Sequence, residues 1–191
     1  MENAIRSERT RKAVIEAALA IIARDGPGRL TMDAIARESG ISKGGVTHQF
    51  RTKEAVLKAL LDHQIEYFGK IFQDHLAAAG STQAEAHLSA QIATLREAAA
   101  RQHAVAFAVV GALAEAPDLL SATRENDAKT IERIKADAAD PELAVLRWAA
   151  AQGLALSAVF GICPLSSEER ERLFDRLLDD RQWTALSKAD I

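Results

Sequence analysis

Apolar residues return every three or four positions along nearly the whole of this 191-residue chain. Nowhere does a stretch rich in β-branched and aromatic residues alternate at every second position. That period belongs to helices and leaves no sheet to build, so the expected fold class is all-α. The open question is where the helices stop, because the stops decide which apolar stripes meet.

Capping signals divide the first third of the chain. A first helix is expected from about Glu8 to Arg24, with Val14, Ile15, Ala18, Leu19, Ile21 and Ile22 inward and Gly26 with Pro27 as its stop. Thr31 can cap a second helix over about 32–39, with Leu30 and Ile35 placed as a hydrophobic staple. Gly40 supplies a left-handed turn. Ser42 can then cap a third helix, about 43–49, while Ile41 before the cap meets Val46. Two short helices on either side of a tight turn result. Thr52 can cap a fourth helix over 53–79, roughly 40 Å long at 1.5 Å per residue, with Val56, Leu57, Leu60, Leu61, Phe68, Ile71 and Phe72 on its apolar side.

Further stops follow. Gly80 ends the fourth helix, and Thr82 with Glu85 has the spacing of a capping box that opens a fifth helix to about Ala100. A sixth, about His103 to Ala116, is apolar nearly all round and expected to be buried, with Pro117 closing it. A seventh, about Leu119 to Ala138, is more charged and expected at the surface, with Leu120, Ile131 and Ile134 inward. Asp140 and Pro141 then open an eighth helix to about Ile162, in which Ala149, Ala150, Ala151, Gly153 and Ala155 stand among large apolar residues. Its apolar circumference exceeds what one packing partner uses. Cys163 and Pro164 break it, and Ser166 with Glu169 boxes the start of a ninth helix to about Arg181, with Leu173, Phe174, Leu177 and Leu178 inward. The closing TALSKADI is expected to fray. With no repeat and no low-complexity linker, the expected boundary falls beside the long fourth helix, giving domains over 1–52 and 53–191.

Charge separates the same two parts. Residues 1–53 hold ten Lys and Arg against six Asp and Glu, or +4, and the remainder fourteen against twenty-one, or −7. Only the first part is suited to approach a polyanion. No apolar run reaches the ~20 residues needed to span a bilayer, and MENAIRSERTRK lacks a hydrophobic segment of signal-peptide type, so the cytoplasm is the expected compartment. The single cysteine, Cys163, excludes an internal disulfide and a multi-cysteine zinc site and is expected to act as a small hydrophobe. His63, His75 and His87 lack close metal-ligand spacing, so neither metal nor cofactor is expected.

The stretch that carries chemistry is SGISKGGVTHQF, residues 39–50. With Val46 inward and 100° per residue, Phe50 lies beside it, Gly44 and His48 fall opposite, and Gly45 and Thr47 lie on the flanks. A helix whose exposed start lacks side chains can bring its backbone close to another surface, and its N-terminal N–H groups favour a phosphate there. This is how a helix-turn-helix enters the major groove. Thr31, Ser42, Lys43 and Lys53 are then placed for phosphates. Thr47 and His48 are placed for bases, Lys43 can reach a guanine edge, and Gln49 lies near the apolar side. Spacing alone leaves a second reading open, in which these are caps and solvent-facing residues of a small helical bundle.

RTRKAVIEAALAIIARDG, LTMDAIARESGISKGGVTHQF and RTKEAVLKALL succeed one another over residues 9–61, with the helix-ending glycine, the IA dipeptide, GISKG, Phe50 and KEA in order. This succession resembles the N-terminal DNA-binding region of the tetracycline-repressor (TetR) family of bacterial transcriptional regulators. The resemblance implies a homodimer on a pseudo-palindromic operator, usually a repressor. It also implies a divergent C-terminal helical domain that holds an effector pocket and the dimer interface. The family typically carries a tyrosine where this chain has Thr47, which puts one backbone contact in doubt. Many relatives carry a larger residue where this chain has Gly45, which implies weak base reading there.

The C-terminal part resembles the family only in outline. The eighth and ninth helices look like its usual dimerisation pair, and Ala151, Ala155, Phe174 and Leu178 are the residues expected at that contact, with burial inside one subunit as the alternative. Phe68, Phe72, His103, Phe107 and Trp148 are expected to line a pocket for a small, mostly apolar effector, with plain core as the alternative. Two other functions compete with a ligand-responsive repressor. One is a small helical enzyme or interaction protein whose N-terminal region binds protein, against which stands the absence of paired carboxylates, a nucleophile with a placed base, or a phosphate loop. The other is an architectural DNA binder without a ligand, which the apolar-rich second part disfavours.

Overall fold

The computed structural model describes residues 2–79, 85–100, 118 and 121–184, and the regular elements among them are helical. They are α1 (Glu2–Asp25), a 3-10 turn (Pro27–Arg29), α2 (Met32–Ser39), α3 (Lys43–Gln49), α4 (Lys53–Ala79), α5 (Ala86–Ala100), α6 (Ser121–Asp137), α7 (Pro141–Val159), α8 (Ser167–Leu178) and α9 (Asp180–Thr184). The sixth helix expected over 103–116 lies outside the described residues, as do Gly80, Thr82, Pro117, Leu120 and the chain after Thr184. Two compact units are distinguished, Met1–Ile65 with His103–Ser121, and Glu66–Gln102 with Ala122–Ile191.

In the first unit the inward stripes of four helices make one core. Val14, Ala18, Ile21 and Ile22 of α1 meet Leu30, Ile35, Val46, Phe50, Val56, Leu57 and Leu60, with Ile41 packed on the edge. Each of the larger of these side chains contributes about 1.5–3 kcal/mol when buried from water. The caps are made as the sequence suggests. Thr31 Oγ1 accepts from the Ala34 N–H at 3.1 Å, Ser42 Oγ from that of Gly45 at 3.1 Å, and Thr52 Oγ1 from that of Ala55 at 3.2 Å. Gly40 takes φ 69°, the left-handed conformation that lets α2 end and α3 begin within three residues. Helix α1 starts six residues earlier than apolar spacing indicates. Ser7 and Arg11 continue its inward stripe with polar side chains that find partners at the end of α3: Ser7 Oγ donates to Gln49 Oε1 at 3.2 Å, and the Arg11 guanidinium lies 5.1 Å from the ring centroid of Phe50, which caps that helix.

In the second unit Leu88 and Ile92 of α5, Ile134 of α6, Ala144, Ala151 and Ala155 of α7, and Phe174 and Leu177 of α8 form the core. Helix α7 therefore turns Ala144, Ala151 and Ala155 toward its own subunit, while Ala149, Ala150 and Gly153 are exposed. Ala151, Ala155 and Phe174, expected at a contact between subunits, are buried inside this one, and Leu178 packs half-buried against the same cluster. The physical reason is close packing: alanines let α5 and α7 approach, while Leu146 and Leu156 are left on the outer side at 62% and 45% exposure. Gly161, at φ 68°, ends α7 three residues before the expected stop at Ile162. Asp140 and Ser166 cap α7 and α8 as expected, the latter with a complete capping box. Glu85 departs from expectation: it stands just before α5 at φ 55°, and its carboxylate accepts from Arg147. Among the described residues no helix is long and apolar enough to cross a membrane.

Candidate nucleic-acid interface

Helices α2 and α3, with the turn at Gly40, present one exposed edge built from polar and small residues. Ser42, Lys43, Gly44, Thr47 and His48 are exposed, while Val46 is fully buried and anchors α3 to the core. The two glycines have different causes. A Cβ on Gly44 would meet nothing within 4 Å, whereas one on Gly45 would come within 2.8 Å of Ile41 Cγ2 and 3.3 Å of the capping Ser42 Oγ. Gly45 is thus fixed by the cap and staple that start the helix, and Gly44 is left bare on the outside. Gly44→Ala is expected to raise the unfolding free energy by about 0.5–1 kcal/mol, the ordinary gain of alanine over glycine in a helix. Gly45→Ala should forfeit that gain to the clash with Ile41. Paired denaturant titrations check this, and a larger gain at Gly45 would contradict the steric account.

Other side chains fix the edges of the surface. Lys43 Nζ lies 3.0 Å from Asp33 Oδ1, so the first turn of α2 runs alongside the start of α3. Arg24 of α1 ties the far end of α2 by bonding Glu38, with Nη2 to Oε2 at 3.0 Å, while also bonding Asp25. Gln49 is half-buried and holds Ser7, so its amide belongs to the joint between α1 and α3. Lys53 opens α4 three residues beyond Phe50, next to Glu54, whose carboxyl is held below its usual range by the Thr52 hydroxyl and its own backbone N–H. The arrangement offers cations, hydroxyls and helix starts along one edge and a pair of short side chains on the α3 face. Such a surface suits a polyanion with grooves.

Residues 14–60 match the family described as bacterial regulatory proteins, tetR family, and residues 72–180 match the tetracyclin repressor-like C-terminal domain. The chain belongs to the TetR family. It carries that family's helix-turn-helix region followed by its C-terminal domain, and the family is one of bacterial regulatory proteins. The HTH-type transcriptional regulator BetI of Yersinia pestis is 32% identical over 80 residues, 42% of this chain and 40% of that protein. SrpR of Pseudomonas putida is 38% identical over 60 residues, 31% of this chain and 28% of the other. The matched stretches thus span two fifths or less of these relatives. Among solved structures, a putative TetR-family regulator from Mesorhizobium loti superposes with a TM-score of 0.68 at 20% identity, covering 94% of this chain and 98% of the other. The multidrug binding protein EbrR, complexed with ethidium, gives 0.61 at 22% identity, covering 88% and 97%. At these identities the likeness is one of fold.

The second unit of this TetR-family chain holds three of the five expected pocket residues, while His103 and Phe107 lie outside the described ones. Phe68 and Phe72 are half-buried on α4. Phe68 meets Tyr67 edge to face at 5.3 Å between centroids, and Phe72 lies 6.1 Å from His87, which is paired with Asp137. Trp148 borders the core of α5, α7 and α8, and its indole N–H is buried with no partner among the described residues. Apolar spacing gave no sign of Asp33, Ser7, Arg11 or Arg147. Only Arg147 left a trace, as a lone arginine within an otherwise apolar helical run.

Proposed function

We propose that this regulator is a ligand-responsive repressor that binds a pseudo-palindromic operator as a homodimer, acting in the cytoplasm where that DNA lies. The observation that carries the reading is an unpartnered stripe on α7. Leu146, Ala149, Gly153, Leu156 and Phe160 recur at helical spacing on its outer side, all exposed. They continue into a groove of about 580 Å³ between α7 and α8, lined by Ala150, Leu154, Ser157, Leu173 and Trp183. A Cβ on Gly153 would meet nothing within 4 Å, so the subunit's own packing does not require this glycine. A second copy approaching closely about a two-fold axis would account for the stripe and the glycine together. The contact is thus assigned to this outer stripe in place of Ala151, Ala155 and Phe174.

Two helix-turn-helix units related by such an axis fit half-sites about 34 Å apart in successive major grooves. In this proposal residues 1–52 serve DNA and 53–191 regulation and dimerisation, with Val56, Leu57 and Leu60 at the start of α4 completing the core under the DNA-binding part. The effector is small and mostly apolar, with Phe68, Phe72 and Trp148 of the second unit as lining residues. The solved EbrR complexes with malachite green and ethidium support a ligand of this kind in a related fold. Effector binding favours a state whose two recognition helices no longer match the groove spacing.

On the DNA side, Thr31, Ser42 and Lys53 take phosphates, Gly44 and Gly45 allow close approach, and Lys43, Thr47 and His48 face the bases. Lys53→Ala should weaken binding on all duplexes and reduce the slope of log K against log salt by about 0.9, the release attending one phosphate contact. His48→Ala should instead change the ranking of sequences. Fluorescence anisotropy over a salt series reads both, and a sequence-dependent Lys53 effect with a uniform His48 effect would reverse these roles.

A further inference from the structure

We infer that Asp33 is a positioning residue that holds Lys43 for base edges and keeps it from the phosphates, so that it sets the selectivity of operator binding; this rests on the DNA-binding reading above. Lys43 is the first residue of the recognition helix, and its Nζ lies 3.0 Å from Oδ1 and 3.1 Å from Oδ2 of Asp33. Both side chains are well exposed, 64% for the lysine and 61% for the aspartate. An exposed ion pair contributes little to folding, so stability does not explain the contact. Asp33 also stands on the surface that meets a polyanion, where a carboxylate weakens binding to any duplex. Glu38, the other acid of α2, is bonded by Arg24, which leaves Asp33 as the carboxylate beside this lysine.

The consequence follows from what DNA offers. A lysine released from its carboxylate finds a phosphate on every sequence, and that contact carries no information. A lysine retained beside a carboxylate brings a nearly neutral pair to the DNA, and phosphates attract such a pair weakly. In the major groove guanine presents the O6 and N7 acceptors that an ammonium can bond, while the cytosine paired with it presents an N4 donor that a carboxylate tolerates. The pair therefore favours a G·C base pair over other contacts at the start of the recognition helix. Asp33 lowers general affinity and widens the difference between operator and other DNA.

Asp33→Asn tests this, because it keeps the shape, removes the charge and lies at an exposed position. The probes are a 30-base-pair duplex of mixed sequence and a genomic duplex recovered by selection with the unmodified protein. The variant should bind the mixed duplex several-fold more tightly, with a salt slope steeper by about 0.9 as Lys43 gains a phosphate. Its preference for the selected duplex should narrow by about tenfold, the scale of one lost base contact. Lys43→Ala in the Asp33→Asn background should erase the gain. An unchanged affinity and slope in Asp33→Asn, or a gain that survives Lys43→Ala, would overturn the inference while leaving the DNA-binding reading intact. Failure of the unmodified protein to bind either duplex at low salt would remove that reading and this inference with it.

Discussion

Arg147→Met is expected to destabilise the second unit by about 3–5 kcal/mol, the cost of breaking a buried ion pair by removing one partner. Arg147 is 2% exposed and joins four elements. Nη1 donates to Glu85 Oε2 at 2.6 Å before α5, Nη2 donates to the Leu177 carbonyl at 2.7 Å in the last turn of α8 and to Asp180 Oδ1 at 2.7 Å in α9, and the guanidinium lies 5.5 Å from the Trp183 ring centroid. The Leu177 carbonyl is one that a helix C-terminus leaves without an intrahelical donor, so the arginine acts as a cap from a neighbouring helix. Glu85 takes a left-handed backbone at φ 55°, and its bond to Arg147 helps hold that conformation. Methionine fills much of the volume and supplies none of the donors. Urea unfolding followed by circular dichroism measures the effect, and a loss below about 1 kcal/mol would mean that the cluster adds no net stability.

Gly153→Glu should separate the subunits without unfolding them. The added Cβ meets nothing within the subunit, and glutamate is the better helix former, so the isolated chain should keep its helicity. In the proposed two-fold contact the same change sets two carboxylates face to face in an apolar stripe beside Leu156 and Phe160. Losing the second recognition unit removes the gain from linking two binding events, about 10²–10⁴-fold in operator affinity. Sedimentation and operator titration on one sample measure both effects. A dimer of undiminished stability would place the interface elsewhere than the outer side of α7.

Arg147 and Gly153 differ from the helix caps in how far the sequence reveals their partners. The helix starts at Thr31, Ser42, Asp140 and Ser166 are legible because a cap is a local event, written within three residues of the bond it makes. The all-α class and the first unit's core are legible because a stripe at spacing three and four states its own inward direction. The identity of the partner is not legible. Ala151 and Gly153 are both small residues on one apolar helix, yet one fills the subunit's own core and the other faces out, since only the position of α5 decides between them. Contacts such as Ser7 with Gln49 and Lys43 with Asp33 are equally silent, because they depend on which polar side chains the packed helices bring together. Gly45 combines both cases. Its place on the helix flank is deducible from the helical wheel, but the reason for the glycine is the Ile41 methyl that packing places against it.

In the proposed assembly two copies of one helix-turn-helix read DNA about a two-fold axis. Protection of a selected genomic fragment by the purified protein tests it most directly. The account predicts two protected half-sites of related, inverted sequence, centred about 10 base pairs apart or a multiple of that, with an even number of chains bound. A single protected half-site occupied by one chain, or no fragment retained at any salt concentration, would contradict it.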